Sequence, residues 1–328
     1  MTHYSVNEAA ATIIESEILP RANQLNIEVH ALKNGATVLD MGIRSKGGFR
    51  AGKYFAEIGM GGLGILRYKM MKLDRYWVPG LQVIADDPVI CEMSAYVAAT
   101  RVRWLGDLQV VSGPVRAILG SDEFARAVTY RDPNPRKAVA GVQCIVLPDE
   151  ELAGSISQTC GVRAENLYIM AARTGCMTGA VQVCARNVEQ SLPTVYDRGF
   201  SMEYILEGNA TTPLCCIVDD EKIAYGRVND CLIYGQEANL TVDCEDAEIS
   251  RMLEYIPFSK NEDVYGTPFA ELFERCGNNW AHVPRDWDAP CRINFFNRRT
   301  GSIFSTGRLH MKALEKAFLG NGGEVAWK

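Results

Sequence analysis

With 328 residues, 47% hydrophobic and 23% charged, the chain has an ordinary globular composition and enough length for two domains. Its net charge of −6 gives no electrostatic footprint for non-specific nucleic-acid binding and leaves room only for a local basic patch that meets a small anion. No apolar run approaches the roughly 20 residues that span a bilayer, and the start, MTHYSVNEAAATIIESE, lacks the basic region of a signal peptide.

Ser5-Val6-Asn7-Glu8 fits a capping box, and Ile14, Ile18, Ala22 and Leu25 continue at helical spacing with Pro20 as a kink. The alternation Ile27, Val29, Ala31, the Asn34-Gly35 turn signal and Thr37 to Met41 predict a hairpin with a type I′ turn. Asp87-Pro88 opens a helix with Ile90, Met93 and Val97 on its apolar face. Gln143 to Leu147 reads as a strand, Asp149 to Cys160 as a helix stopped by Gly161, and Leu167 to Ala172 as a strand. A helix from about Thr178 to Leu192 follows and ends before Pro193. Later come a strand pair around Cys231–Tyr234 and Asn239–Val242, and helices at Ala247–Tyr255 and Pro268–Cys276. A hairpin over Arg292–Phe304 closes the series.

Hairpins alternate with helices without a steady βαβ rhythm, so the predicted class is α+β. A boundary near Pro193 gives domains 1–193 and 194–328, with the N-terminal helix free to return to the second.

The segment Gly59-Met60-Gly61-Gly62-Leu63-Gly64 matches G-x-G-x-x-G, but its context fails the dinucleotide test. A helix precedes it and no helix start follows, so a tight loop with close backbone approach is the better reading. Four scattered histidines (His3, His30, His282, His310) and the absence of C-x-x-C point to no metal site. Eleven cysteines, an odd count whose close pair is Cys215–Cys216, predict a reduced, cytoplasmic protein whose thiols act as small core residues.

CARNVEQSL, Cys184 to Leu192, sets an arginine and a glutamate three positions apart on a helix. Val181, Ala185, Val188 and Leu192 form its core stripe, and Gln182, Arg186 and Glu189 a second stripe roughly 100° away. From pattern alone, Arg186–Glu189 is a solvated i,i+3 pair worth ~0.2–0.5 kcal/mol. Against that stand the nearness of the core stripe and the Thr-Gly-rich loop, Thr174 to Gly179, that leads into the helix.

NGATVLDMGI (34–43), AGKYFAEIGMGGLG (51–64), SGPVRAI (112–118), GAVQVCARNVEQSL (179–192), GRVNDCLIYG (226–235) and YGTPFAELFER (265–275) occur together in this order. In these blocks the chain resembles the methenyltetrahydromethanopterin cyclohydrolases over nearly its whole length. The resemblance implies hydrolysis of a cyclic amidinium, 5,10-methenyltetrahydromethanopterin or a related C1-tetrahydropterin, to the 5-formyl form. It implies a cleft between two α+β domains, no cofactor or metal, and a homo-oligomer, a trimer, whose partner is a small-molecule substrate.

The same resemblance makes Arg186 and Glu189 the catalytic pair, with Glu189 as general base and Arg186 orienting it. Candidate substrate-binding residues are Gln182, Gly61, Gly62, Thr174, Thr178, Asn229 and Asp230. Two segments depart from the family pattern, Arg173–Ala180 and Gly208–Cys216, and in the family such loops lie near the ligand. These departures favour one alternative, a paralogous C–N hydrolase for a non-pterin cyclic amidine; the alternative from a different class is a non-catalytic pterin-binding protein, against which the retained Arg186 and Glu189 argue.

Overall fold

A computed structural model describes residues 4–74, 76–132, 134–254, 256, 264–284, 287 and 289–319, so His3 and Tyr255 lie outside it. The chain divides into two compact units, Met1–Leu66 with Ala85–Gln182, and Arg67–Ile84 with Val183–Lys328. The class is α+β, and the division falls at Val183 where the sequence suggested Pro193. The segment Arg67–Ile84 belongs to the second unit because its strands complete that unit's sheet.

Among the described residues, twelve strands, β1 to β12 in chain order, form two six-stranded sheets. The first sheet holds β1 (Glu28–Ala31), β2 (Thr37–Asp40), β5 (Thr100–Trp104), β6 (Asp107–Ser112), β7 (Ala138–Gln143) and β8 (Leu167–Ala172). Its order is β1-β2-β8-β7-β6-β5, with β2, β8 and β7 parallel and the flanking pairs antiparallel. Helix α1 (Val6–Ile13) packs on β7 and on α2 (Phe49–Gly59), so the N-terminal helix stays with the first unit. Ser5 caps α1 by accepting from Glu8 N–H, and beyond Pro20 the helical path breaks at Arg21, as the sequence predicts.

The short helices α3 (Arg116–Leu119) and α4 (Glu123–Arg126) precede α5 (Glu150–Cys160). Asp149 accepts from Leu152 N–H at the start of α5, and Gly161 stops it in the left-handed conformation at φ 68°. The hairpin turn departs from expectation. Ala31 pairs with Thr37, and Gly35 alone of the Asn34-Gly35 pair has positive φ, so the turn is not type I′.

The second sheet comprises β3 (Gly64–Leu73), β4 (Tyr76–Ala85), β9 (Ile205–Pro213), β10 (Glu237–Val242), β11 (Arg292–Asn297) and β12 (Ile303–Gly307). Its order is β12-β11-β10-β9-β4-β3. The segment Gly208–Cys216, expected as a ligand loop, is largely strand β9. Cys231–Tyr234, expected as a strand, lies within α8 (Glu221–Gly235). Its run of buried apolar residues is compatible with a buried strand or a buried helix, and here the long helix takes it.

Helices α6 (Met177–Cys184) and α7 (Asn187–Asp197) come before α8, while α9 (Asp246–Leu253), α10 (Phe269–Arg275) and α11 (Met311–Leu319) follow it. Phe269 and Trp287 are buried and stack at 5.1 Å between ring centroids, and Phe269 also stacks on Phe273. Asp230 of α8 reaches the start of α10 and accepts from Phe269 N–H at 2.7 Å. Burial pushes its carboxyl up to about 7 despite that bond.

An unfolded aspartate titrates near ~3.9. Below that pH both states hold the proton, and between there and about 7 only the folded state does. Stability from this group is therefore complete at low pH and is lost as pH rises through about 7. Asp230→Asn keeps an acceptor for Phe269 N–H and removes the titration. Urea unfolding at acid and alkaline pH should show a shallower fall in the variant; an equal fall in both proteins counts against the assignment.

Candidate active site

Where the sequence suggested one helix, the structure has two. Helix α6 ends at Cys184, Ala185 and Arg186 form a turn, and α7 begins at Asn187. Arg186 N–H bonds back to Val183 O at 3.0 Å, which tightens the chain there, and Arg186 O accepts from Gln190 N–H at 2.8 Å. The expected core stripe survives the break, with Val181, Ala185, Val188 and Leu192 all buried. Pro193 lies inside α7 instead of ending it. Having no N–H, it cannot donate to the carbonyl of Glu189 one turn earlier.

Arg186 occupies the N-cap position of α7 and Glu189 its first turn. The Arg186 Nη1 to Glu189 Oε2 distance is 3.2 Å, and the two side chains are only 12% and 14% exposed. That burial removes the solvated-surface account of the pair. Both ends of the interaction are held: a helix N-terminus favours a carboxylate, and a guanidinium beside it fixes its direction.

Asn187 sets the first turn of α7 on β9. Its Nδ2 donates to Ala210 O and Thr212 Oγ1, each at 3.1 Å. Gln236 Nε2 donates to Asn187 O and, at 2.9 Å, to Ser191 Oγ. All four side chains, Asn187, Ser191, Thr212 and Gln236, are buried. Reading the sequence missed Asn187 although it lies inside CARNVEQSL, because its partners are distant in the chain.

In the first unit, Gln182 and Thr174 are brought together by Gln143, a residue the sequence reading did not single out. Gln182 Nε2 donates to Gln143 Oε1 at 2.9 Å, and Gln143 Nε2 donates to Thr174 Oγ1. Gln143 ends β7 and Thr174 follows β8, so this carboxamide cluster sits at the carboxyl ends of parallel strands, a common place for ligand sites in such sheets. Thr178 is turned to another task. Its hydroxyl bonds Gly48 N–H at 3.1 Å, beside Gly47, whose φ of 60° and closeness to Met41 O leave no room for a side chain.

Gly61 and Gly62 end α2 with φ of 67° and 75°. A side chain on Gly61 would meet Val6 at 2.5 Å, so this stretch lets α2 close on α1 and forms no dinucleotide loop. Asn229 donates to Tyr225 O within its own helix, and Asp230 serves α10 as described. Helix α6 starts beside Cys176, whose Sγ accepts from Gly179 N–H at 3.3 Å, doing the work of a capping hydroxyl.

Among the described residues, Glu28, His30 and Asp40 are the one group whose possible metal ligands lie within 4.8 Å of one another. Asp40 has a different duty. Its carboxylate accepts from the N–H groups of Gly42, Ile43, Arg44 and Ser45. Burial alone would raise its pKa, but these bonds more than offset it and the carboxyl titrates below its usual range. No helix among the described residues is long and apolar enough to cross a membrane.

A family model described as cyclohydrolase (MCH) matches residues 5–318. The chain is 33% identical over 317 residues to the methenyltetrahydromethanopterin cyclohydrolase of Methanosarcina barkeri, covering 96% of this chain and 98% of that protein. It is 32% identical to the protein of that name from Methanosarcina mazei, over 96% and 98% of the two chains. Against the one from Methylobacillus flagellatus identity is 29%, over 96% and 95%. The chain belongs to the cyclohydrolase (MCH) family.

Proposed function

We propose that this protein hydrolyses the amidinium ring of 5,10-methenyltetrahydromethanopterin, or of a closely related C1-tetrahydropterin, to the 5-formyl compound. The observation that carries the proposal is the Arg186–Glu189 pair, mostly buried at the start of α7. The electrophilic carbon lies between two nitrogens that share a positive charge. Glu189 orients a water against it and takes one of its protons as the oxygen bonds to carbon. The resulting neutral adduct then breaks one C–N bond as its hydroxyl gives up its proton to become the formyl C=O; the departing nitrogen takes one proton, the formyl group stays on the other nitrogen, and the one proton left over passes to solvent. Arg186 pairs with Glu189 and keeps its carboxylate aimed. A carboxylate also stabilises the cationic substrate, which partly offsets its benefit in the transition state.

Gln182, Thr174 and Gln143 are proposed to bind the pterin through their amide and hydroxyl groups. The substrate already carries the charge that a Lewis acid would induce, so the proposal requires no metal or other cofactor. A reduced, cytoplasmic setting suits eleven free cysteines. Assembly as a homotrimer is proposed on family resemblance, and light scattering should give the mass of three chains; a single-chain mass at micromolar concentration would sink it.

Glu189→Gln should leave the fold intact and lower kcat by ~10²–10⁴-fold, the usual loss for a general base. Arg186→Ala should also slow turnover, and the wild-type rate should survive exhaustive chelation. The methenyl absorbance reports all three. A Glu189→Gln rate near wild type removes Glu189 from the mechanism.

The rewritten segment Arg173–Ala180 supports a second reading, a related C–N hydrolase with another preferred cyclic amidine. Each buried polar mismatch costs a ligand ~1–3 kcal/mol. Methenyltetrahydromethanopterin should then be a poorer substrate here than for a typical family member, with methenyltetrahydrofolate assayed beside it as comparison. A kcat/KM of ~10⁴–10⁸ M⁻¹s⁻¹ on the former, the range of well-adapted enzymes, would show the changes to be neutral.

A further inference from the structure

Three free thiols of the second unit, Cys184, Cys215 and Cys231, are neighbours in its interior. Cys215 is 4% exposed and the other two are fully buried. The backbone explains how two of them meet. A side-chain carbon on Gly235 would come within 2.5 Å of Pro213 Cγ, so the end of β9 crosses closely over α8 at that glycine. Cys215 lies two residues beyond Pro213, roughly 7 Å along an extended chain. Cys231 lies four residues before Gly235, roughly 6 Å back along α8 and on the same face. The two paths run side by side, and the Cys231 thiol donates its S–H to the Cys215 sulfur. Cys184 directs its own S–H elsewhere, to Val228 O at 3.9 Å.

That S–H bond makes the pair unequal. It lowers the pKa of Cys215 below its ordinary value, with burial opposing it and the Arg227 charge assisting. Burial pushes the Cys231 thiol well up, so it keeps its proton. One sulfur is the nucleophile and the other its proton-bearing neighbour. Cys215 also lies close to solvent. It belongs to the irregular segment 214–218, in which Cys216 and Ile217 are exposed, and this gives a small oxidant a short path to its sulfur.

We propose that Cys215 and Cys231 are a peroxide-responsive dithiol, in which Cys215 is oxidised and Cys231 resolves it as a disulfide joining the segment after β9 to α8. The Cys215 thiolate attacks one oxygen of the peroxide, the O–O bond breaks, and the departing hydroxide takes a proton and leaves as water. The Cys231 sulfur then bonds to the Cys215 sulfur as the S–O bond breaks. The hydroxyl leaves as a second water with the Cys231 proton. Two thiols give up two electrons, and one hydrogen peroxide becomes two waters. None of this chemistry depends on the hydrolysis proposed above.

The full chain, reduced and then treated with hydrogen peroxide, is alkylated and digested without reductant for mass spectrometry. Two of the eleven thiols should be lost, in one peptide pair linking Cys215 to Cys231, and dithiothreitol should restore both. Cys216→Ser, which removes the exposed competitor, should form the same bond. Cys231→Ala leaves the sulfenic acid without its resolving partner, and dimedone should then label Cys215. Oxidation confined to Cys216, or a disulfide that pairs Cys215 with Cys184 or Cys216, overturns the proposal. A link between two chains, seen as a doubled mass on a non-reducing denaturing gel, overturns it too. Should Cys231→Ala fail to fold, the wild-type peptide map decides alone.

Discussion

A buried asparagine determines where the second half of CARNVEQSL can go. Asn187 spends its amide on β9 and its carbonyl on Gln236, so the first turn of α7 has one place to stand. Leaving any of those groups unpaired in the interior would cost about 1–3 kcal/mol. Arg186 and Glu189 flank this residue and inherit its fixed position. The ion pair follows from the anchor: two long side chains hold one geometry because the backbone beneath them cannot shift.

The first unit applies the same economy to its loops. Asp40 gathers four backbone N–H groups after β2, Thr178 ties Gly48 to the start of α6, and Gly61 lets α2 close on α1. Each is a polar or steric solution to ending a strand or helix inside a crowded interior. Two of the glycine and threonine positions that resemble substrate contacts in sequence are thereby given structural work, whereas Gln182 and Thr174 retain polar side chains gathered at strand ends.

What the sequence made legible was local. The Ser5 cap of α1, Asp149 with Gly161, and the stripe of Val181, Ala185, Val188 and Leu192 are decided within a few residues and hold in the structure, although the Glu8 carboxylate of the expected capping box turns to Arg136 N–H. The α+β class and the family followed from patterns repeated along the chain. Cys231–Tyr234 misled because a short apolar run fits a strand or a buried helix equally well. The break at Ala185–Arg186 and the passage of α7 through Pro193 depend on partners contributed by β9 and Gln236, which no local window contains. Gln143 escaped notice for the same reason: a glutamine at a strand end becomes informative only once Gln182 and Thr174 are seen beside it.

The excursion Arg67–Ile84 bears on how the chain is made. Strands β3 and β4 leave the ribosome in the middle of the first unit, yet their sheet neighbour β9 begins only at Ile205. Until then the nascent hairpin must wait with its pairing edge open, carrying Tyr68, Met70 and Trp77, which remain exposed even in the finished fold. The second unit therefore cannot finish its sheet until β9 has emerged, although the first unit is complete in sequence at Gln182. The interval before β9 emerges is the period in which the nascent hairpin most needs shielding from its neighbours.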